Sequence, residues 1–249
     1  MRAGDIALGV SLTLTDPIVA EIVGAAGHDF VMIDTQHAPV HPESLQHLLM
    51  ALRSSRSTTL VRVVSNDPVA IGQALDLGAE GVIVPDVVSA DACRAAVSAA
   101  RYAPAGSRGF GPRRAARLEG GRAAYLSRAN EEVGVVAMVE HADAVEHIDE
   151  ILTTSGLDAV MVGPADLAVS LGHLTDLGNP AVEDAIEVVR AACLRHGVPF
   201  GIFAAAEAAA RTWAARGAAF MTIGADLQFL DHGLSRSSAL ATELRNARR

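Results

Sequence analysis

The chain has 249 residues, a length that suits one α/β barrel, and is 50% hydrophobic but only 4% aromatic. A core of that composition must be built from Ala, Val, Ile and Leu, which suits parallel strands buried on both faces. The net charge of −9 argues against nucleic acid as a partner, since phosphate binding needs clustered Lys and Arg.

The two basic runs, Arg113–Arg114 and Arg248–Arg249, are short and read as solvated surface or chain end. No apolar run approaches the roughly 18–20 residues of a membrane helix. Asp5 interrupts the first apolar stretch, so no signal peptide is expected. Cys93 and Cys193 have no CxxC spacing and fall in helix-like stretches, as expected of reduced cysteines in or near the core of a cytoplasmic protein.

Read in order, the chain alternates apolar runs with helical patterns. Ile6–Leu12 is the first predicted strand, and Asp16–Pro17 then places a capping residue before a Pro at the first helical position. "GHDFVMID" from Gly27 gives the second strand, followed by Leu45, Leu48, Leu49 and Leu52 at helical spacing. Thr59–Val64 is the third, with Asp67–Pro68 opening the next helix. "GAEGVIVPD" from Gly78 is the fourth. The stretch Tyr102–Gly121 has no period, so a long loop is expected before a helix from about Arg122.

Val133–Glu140 is the fifth strand and "GLDAVMVGPAD" from Gly156 carries the sixth. Asn179–Pro180 starts a helix with Val182, Ala185, Ile186 and Val189 on one face. Pro199–Ala204 and "GAAFMTIGAD" from Gly217 complete eight strands. Four of these segments open on Gly and close on Asp34, Asp86, Asp166 or Asp226, the mark of repeated βα units. Eight such units predict a single (β/α)8 barrel over residues 1–249, with 227–249 as a C-terminal helical segment. A doubly wound sheet is disfavoured because "GVSLTLTDP" has no Gly-rich fingerprint.

Active sites of this fold sit where strands end, and that filters the charged residues. Asp86 and Asp226 read as candidate helix N-caps, although Ser89 is the better cap after Asp86. Glu140 closes an apolar strand and Arg62 lies inside another. Burying either alone costs several kcal/mol, so each needs a partner. One solution is an Arg62–Glu140 ion pair. The other is a hard divalent ion (Mg²⁺, Mn²⁺ or Co²⁺) held by Glu140 and Asp166, with Arg62 facing substrate. His37 reads as a surface histidine unless Asp34, three residues earlier, contacts its ring. His141, next to Glu140, is a further residue of interest.

"IDTQHAPV", "LVRVV", "ALDLGAEGVIVPDV", "RYAPAGSRGFG", "VAMVE" and "MVGPADLAVSLG" occur in order along nearly the whole chain. Together they resemble the HpcH/HpaI family of metal-dependent class II pyruvate aldolases. The resemblance implies a (β/α)8 barrel that assembles as a hexamer, a trimer of dimers, exchanging the C-terminal helix. It implies metal ligation by Glu140 and Asp166, and binding of the keto oxygen by Arg62. It implies that His37 is the catalytic base, with Asp34 in the same motif and Asp76 paired to that histidine across a subunit contact. Gly163, Pro164 and Ala165 match backbone lining the substrate carboxylate, while Arg108 and Gly109 match a loop signature of structural role. Gln36, Met138 and His141 depart from residues common in the family.

The implied reaction cleaves a 4-hydroxy-2-oxo acid to pyruvate or hydroxypyruvate and an aldehyde, with no organic cofactor. The base is His37, or a water beside it on the metal. The chain contains no Lys, which excludes a lysine Schiff-base aldolase. Alternatives are a lyase acting on a CoA thioester, for which no basic nucleotide surface is evident, an oxaloacetate decarboxylase, or a non-catalytic keto-acid-binding barrel. A phosphate-handling barrel ranks below these, since the last two strand-end loops lack a Gly-rich cradle.

Overall fold

A computed structural model of the protein describes residues 5–174 and 176–247. Eight parallel strands close into a barrel in chain order: β1 (Ala7–Leu12), β2 (Phe30–Asp34), β3 (Thr58–Arg62), β4 (Gly81–Val84), β5 (Gly134–Val139), β6 (Ala159–Val162), β7 (Phe200–Phe203) and β8 (Phe220–Ala225). The main surrounding helices are α1 (Pro17–Ala25), α2 (Pro42–Ala51), α3 (Pro68–Asp76), α4 (Ala90–Ala100), α5 (Arg113–Leu118) and α6 (Arg122–Glu132). They continue with α7 (Ala142–Glu146), α8 (Ile148–Leu152), α9 (Pro164–Ser170), α10 (Pro180–His196), α11 (Glu207–Ala215) and α12 (Asp226–Asn246). The fold is the (β/α)8 barrel that the repeated units predict.

Local chemistry explains the punctuation. Asp16, Asp67 and Asn179 each accept from the first turn of the helix they precede, with Pro in that turn. Gly27, Gly78, Gly156 and Gly217, which open the repeated segments, all have φ between 85° and 98°; Gly27, Gly78 and Gly217 turn directly out of a helix at no steric cost, and Gly156 sits in the turn after α8. Leu45, Leu48, Leu49 and Leu52 are buried, as are Val182, Ala185, Ile186 and Val189. Cys93 and Cys193 are buried and free.

The barrel interior is filled by alternate strand residues, among them Phe30, Met32, Ile83, Met138, Met161 and Phe220. At its floor Phe30 and Phe220 meet edge to face, 6.2 Å between ring centroids. Each ring lies over the glycine it pairs with on the next strand, Gly9 and Gly201. A β-carbon at either glycine overlaps the ring. Gly9→Ala is therefore expected to destabilise the protein by about 1–3 kcal/mol, read as a lowered urea midpoint. An unchanged midpoint would show that the ring has room to move.

Two expectations need correction. The stretch Tyr102–Gly121 is not wholly a loop, because α5 occupies Arg113–Leu118. Its Ala115 and Ala116 pack with Tyr102, Tyr125 and Ala129, so tertiary packing makes a helix too short to show a period in sequence. The third strand stops at Arg62, not Val64, which places the guanidinium at the rim of the barrel. The C-terminal helix is α12, Asp226–Asn246. Of α12 only Asp226 is buried, and Leu227, Phe229, Leu230, Leu234, Leu240 and Leu244 are exposed. Arg248–Arg249 lie outside the described residues. Among the described residues no helix is long and apolar enough to cross a membrane.

Candidate active site

The C-terminal ends of the strands bring one set of polar side chains to a common mouth. Asp34 ends β2 and Arg62 ends β3, and the two are register partners. Adjacent strand ends set the side chains parallel, and the guanidinium grips the carboxylate by two bonds, Nε to Oδ1 at 3.0 Å and Nη2 to Oδ2 at 2.6 Å. Asp34 Oδ1 also accepts from the backbone N–H groups of Gln36 and His37, at 2.9 and 3.2 Å. Burial pushes the Asp34 carboxyl up. The bonds and charge of Arg62, with the two N–H donors, outweigh it and hold the group below the usual carboxylate range.

Arg62 thus pairs with Asp34, and the Arg62–Glu140 ion pair weighed from sequence does not form. Two of the guanidinium nitrogens are occupied. Among the described residues Nη1 has only the sulfur of Met138 beside it, at 3.8 Å, and remains able to donate to a ligand.

Glu140 follows β5 and is 2% exposed. Its Oε1 accepts from the Asp86 N–H at 3.0 Å, while its Oε2 is buried with no hydrogen-bond partner among the described residues. Burial raises the Glu140 pKa, and the charges of Asp166 and Asp86 add to that, against the Asp86 N–H and Arg62. A buried carboxylate with an orphaned oxygen, close enough to Asp166 for that charge to raise its pKa, is a costly arrangement without a cation. Gly163 makes room for it. A β-carbon there would sit 3.1 Å from Oε2 and 3.3 Å from the Glu140 β-carbon.

Asp166 lies in the first turn of α9 and takes no hydrogen bond from the described residues. Glu140 and Asp166 therefore fit a hard divalent ion, which commonly takes one or two protein carboxylates and completes its shell with water and substrate. No set of three His, Cys, Asp or Glu converges among the described residues.

Asp86 is not a helix cap. It has φ +56°, its carboxylate takes His141 Nε2 at 3.2 Å, and Ser89 caps α4. The left-handed backbone turns its N–H onto Glu140, a role the sequence does not signal beyond the tolerance of Asp for that conformation. Asp226 is the first residue of α12, with Ala225 at the N-cap position, and its Oδ1 accepts the Leu227 N–H in the first turn at 2.8 Å. The same carboxylate ties down the loop after β1, accepting from Thr13 N–H, Thr13 Oγ1 and Leu14 N–H at 2.7–2.9 Å.

His37 is exposed. The contact to Asp34 is through its backbone, so the expected ring–carboxylate contact does not form. Asp76 ends α3 at the opposite end of the barrel, where its carboxylate takes Arg108 Nη2 at 2.8 Å. Within one chain the structure does not bring Asp76 and His37 together. Arg108 is buried against the faces of Tyr102 and Tyr125, 4.6 and 5.6 Å from the ring centroids, and locks the "RYAPAGSRGFG" loop. Gly163, Pro164 and Ala165 lie together at the start of α9 beside Glu140.

The family description HpcH/HpaI aldolase/citrate lyase matches residues 8–233. The chain belongs to this family. A 5-keto-4-deoxy-D-glucarate aldolase of Klebsiella pneumoniae is 37% identical over 227 residues, 91% of this chain and 89% of that protein. Among solved structures, an HpcH/HpaI aldolase from Desulfitobacterium hafniense DCB-2 is similar with a TM-score of 0.89 and 34% identity, covering 97% of this chain and 94% of that one. A family protein from Burkholderia cenocepacia J2315 has a TM-score of 0.88, also at 34% identity, covering 97% and 95%. The protein is an enzyme of the aldolase type, a carbon–carbon lyase of the HpcH/HpaI family.

Proposed function

We propose that the protein cleaves 4-hydroxy-2-oxo acids to pyruvate, or hydroxypyruvate, and an aldehyde, with a divalent ion held by Glu140 and Asp166. The observation that supports this most is the buried, unpartnered Oε2 of Glu140 beside Asp166. A bound ion supplies Lewis-acid polarisation of the 2-oxo group.

The chain's own residues do the rest. Ala165 and Asp166 present backbone N–H groups at the start of α9 for the substrate carboxylate, Pro164 having none to offer. Arg62 Nη1 is the donor left for the oxygen that gains charge when the C3–C4 bond breaks and its electrons enter the enolate. His37 accepts the 4-hydroxyl proton as that bond breaks, and C3 is then protonated to release the methyl of pyruvate. The base needs orientation, and Asp34 supplies it by holding the His37 backbone. The ring partner that the family resemblance implies is Asp76 of a second copy; within one chain that carboxylate instead takes Arg108.

The exposed leucines of α12 support a homo-oligomer, which we take as the hexamer of three dimers with this helix exchanged. The two buried, free cysteines support a cytoplasmic placement. Chelation is the direct test. Dialysis against EDTA is expected to abolish pyruvate release from a 4-hydroxy-2-oxo acid, and Mg²⁺, Mn²⁺ or Co²⁺ to restore it. Undiminished release in chelator would sink the metal-dependent reading.

A further inference from the structure

Five arginines gather on the outside of the barrel, far from the mouth. Arg53 and Arg56 follow α2, and Arg113, Arg114 and Arg117 belong to α5. They line two adjoining clefts. The outer one, about 570 Å³, has Arg53, Arg113, Arg114 and Arg117 on its walls with Gln46. The inner one, about 430 Å³, shares Arg53 and Arg114 and adds Arg56.

The cluster stands out by what it lacks. Nine other arginines each meet a carboxylate; among the described residues these five meet none, and neither do Arg122, Arg236 and Arg245, but only these five gather around common clefts. The shortage is not one of composition, since the chain has 29 acidic residues against 20 basic ones. The acidic groups of the inner cleft are engaged elsewhere: Glu80 by Thr59, and Glu119 and Glu132 by Arg128.

The placement is unfavourable in three ways without a counter-charge. Arg113 and Arg117 are like charges at i, i+4. Arg113 and Arg114 sit in the first turn of α5, where the helix dipole opposes a cation. Arg114 is half-buried and spans to the Leu77 and Leu49 carbonyls; burial, then the charges of Arg53 and Arg117, lower its pKa. A bound anion relieves all three at once. Guanidinium groups in a cleft of this volume suit a small ligand with several anionic oxygens.

We propose that this cleft is a binding site for a small polyanion, either a phosphate ester or a polycarboxylate, separate from the catalytic mouth. The test is calorimetric titration of the intact protein without divalent metal, at matched ionic strength, with pyrophosphate in one arm and tricarballylate in the other. Saturable binding is expected at one ligand per chain. Arg53→Gln with Arg117→Gln should weaken it at least about tenfold, the loss of charge-assisted bonds, while Arg62→Ala leaves it intact. Both substituted side chains are exposed and unpaired, and circular dichroism checks that the double variant folds. Binding in one arm only assigns the ligand class and supports the site. Absence of binding in both arms overturns it, as does equal binding by the double variant or loss confined to Arg62→Ala. A double variant that falls to a smaller oligomer while the wild type binds neither anion would make the patch a subunit contact, which also overturns it.

Discussion

Glu140→Gln is expected to raise the stability of the metal-free protein while abolishing catalysis. The two effects share one cause. In the folded chain the Glu140 carboxylate is out of water, keeps one oxygen without a partner and faces Asp166 and Asp86. Its pKa is raised, so the folded state holds the proton more tightly than the unfolded chain. Stability therefore falls as pH rises through the ordinary carboxylate value, about 4.3, and the full penalty stands above the raised folded value. Gln keeps an oxygen for the Asp86 N–H and turns an amide toward Asp166 in place of a charge. The gain at neutral pH is about 1–3 kcal/mol, the cost of leaving a buried polar atom unpaired, and it is lost as pH falls from the raised folded value to about 4.3. Urea midpoints of both proteins in EDTA read it. Added Mn²⁺ should stabilise the wild type and leave the variant unmoved, since the variant has lost half of its anionic ligand set. Equal stabilisation of both by Mn²⁺ would remove Glu140 from the metal site. A less stable variant in EDTA would mean that the carboxylate is satisfied in a way the geometry does not provide for.

The sequence carried the barrel because its signals were local. A glycine before each of four strands, an Asp or Asn before Pro at three helices, and apolar residues at helical spacing all act within a few residues. The places of Asp34, Arg62, Glu140 and Asp166 at the mouth were legible because strand ends are where this fold exposes polar groups; that of Asp76 was not. Partnership was not legible. Arg62 had two candidate acids, and the choice of Asp34 follows from register between β2 and β3, which no single strand encodes. Asp86 and Asp226 looked alike as carboxylates after strands. One works through a left-handed N–H, the other by gripping a loop 212–213 residues away in sequence. Helix α5 failed to register because six residues offer no period and its stability comes from Tyr102 and Tyr125. The separation of Asp76 from His37 could be read only once the direction of α3 was fixed.

Asp34→Asn is expected to cost both turnover and stability, and pH separates the pair from every other effect. The wild-type carboxylate holds Arg62 at two points and leaves Nη1 for the substrate. An amide in its place sets a donor against a donor at Nη2 and leaves a guanidinium, 12% exposed, without its counter-charge. Breaking a buried pair from one side costs about 3–5 kcal/mol, and we place this one near the lower bound because the mouth admits water. Turnover should fall about 10²–10³-fold, as when one oxyanion donor loses its position, with metal affinity unchanged because neither Glu140 nor Asp166 touches Asp34. The folded Asp34 pKa is depressed, so the pair's contribution is complete above the unfolded value, about 3.9, and is lost as pH falls through the lower folded value. The stability difference between wild type and variant should be flat from pH 7 to about 5 and shrink below about 4. That trend runs opposite to the one expected for Glu140→Gln, where the variant is the more stable and its advantage vanishes in acid. A difference that stays constant down to pH 3, or a variant that turns over normally, would show that Arg62 keeps its position without Asp34.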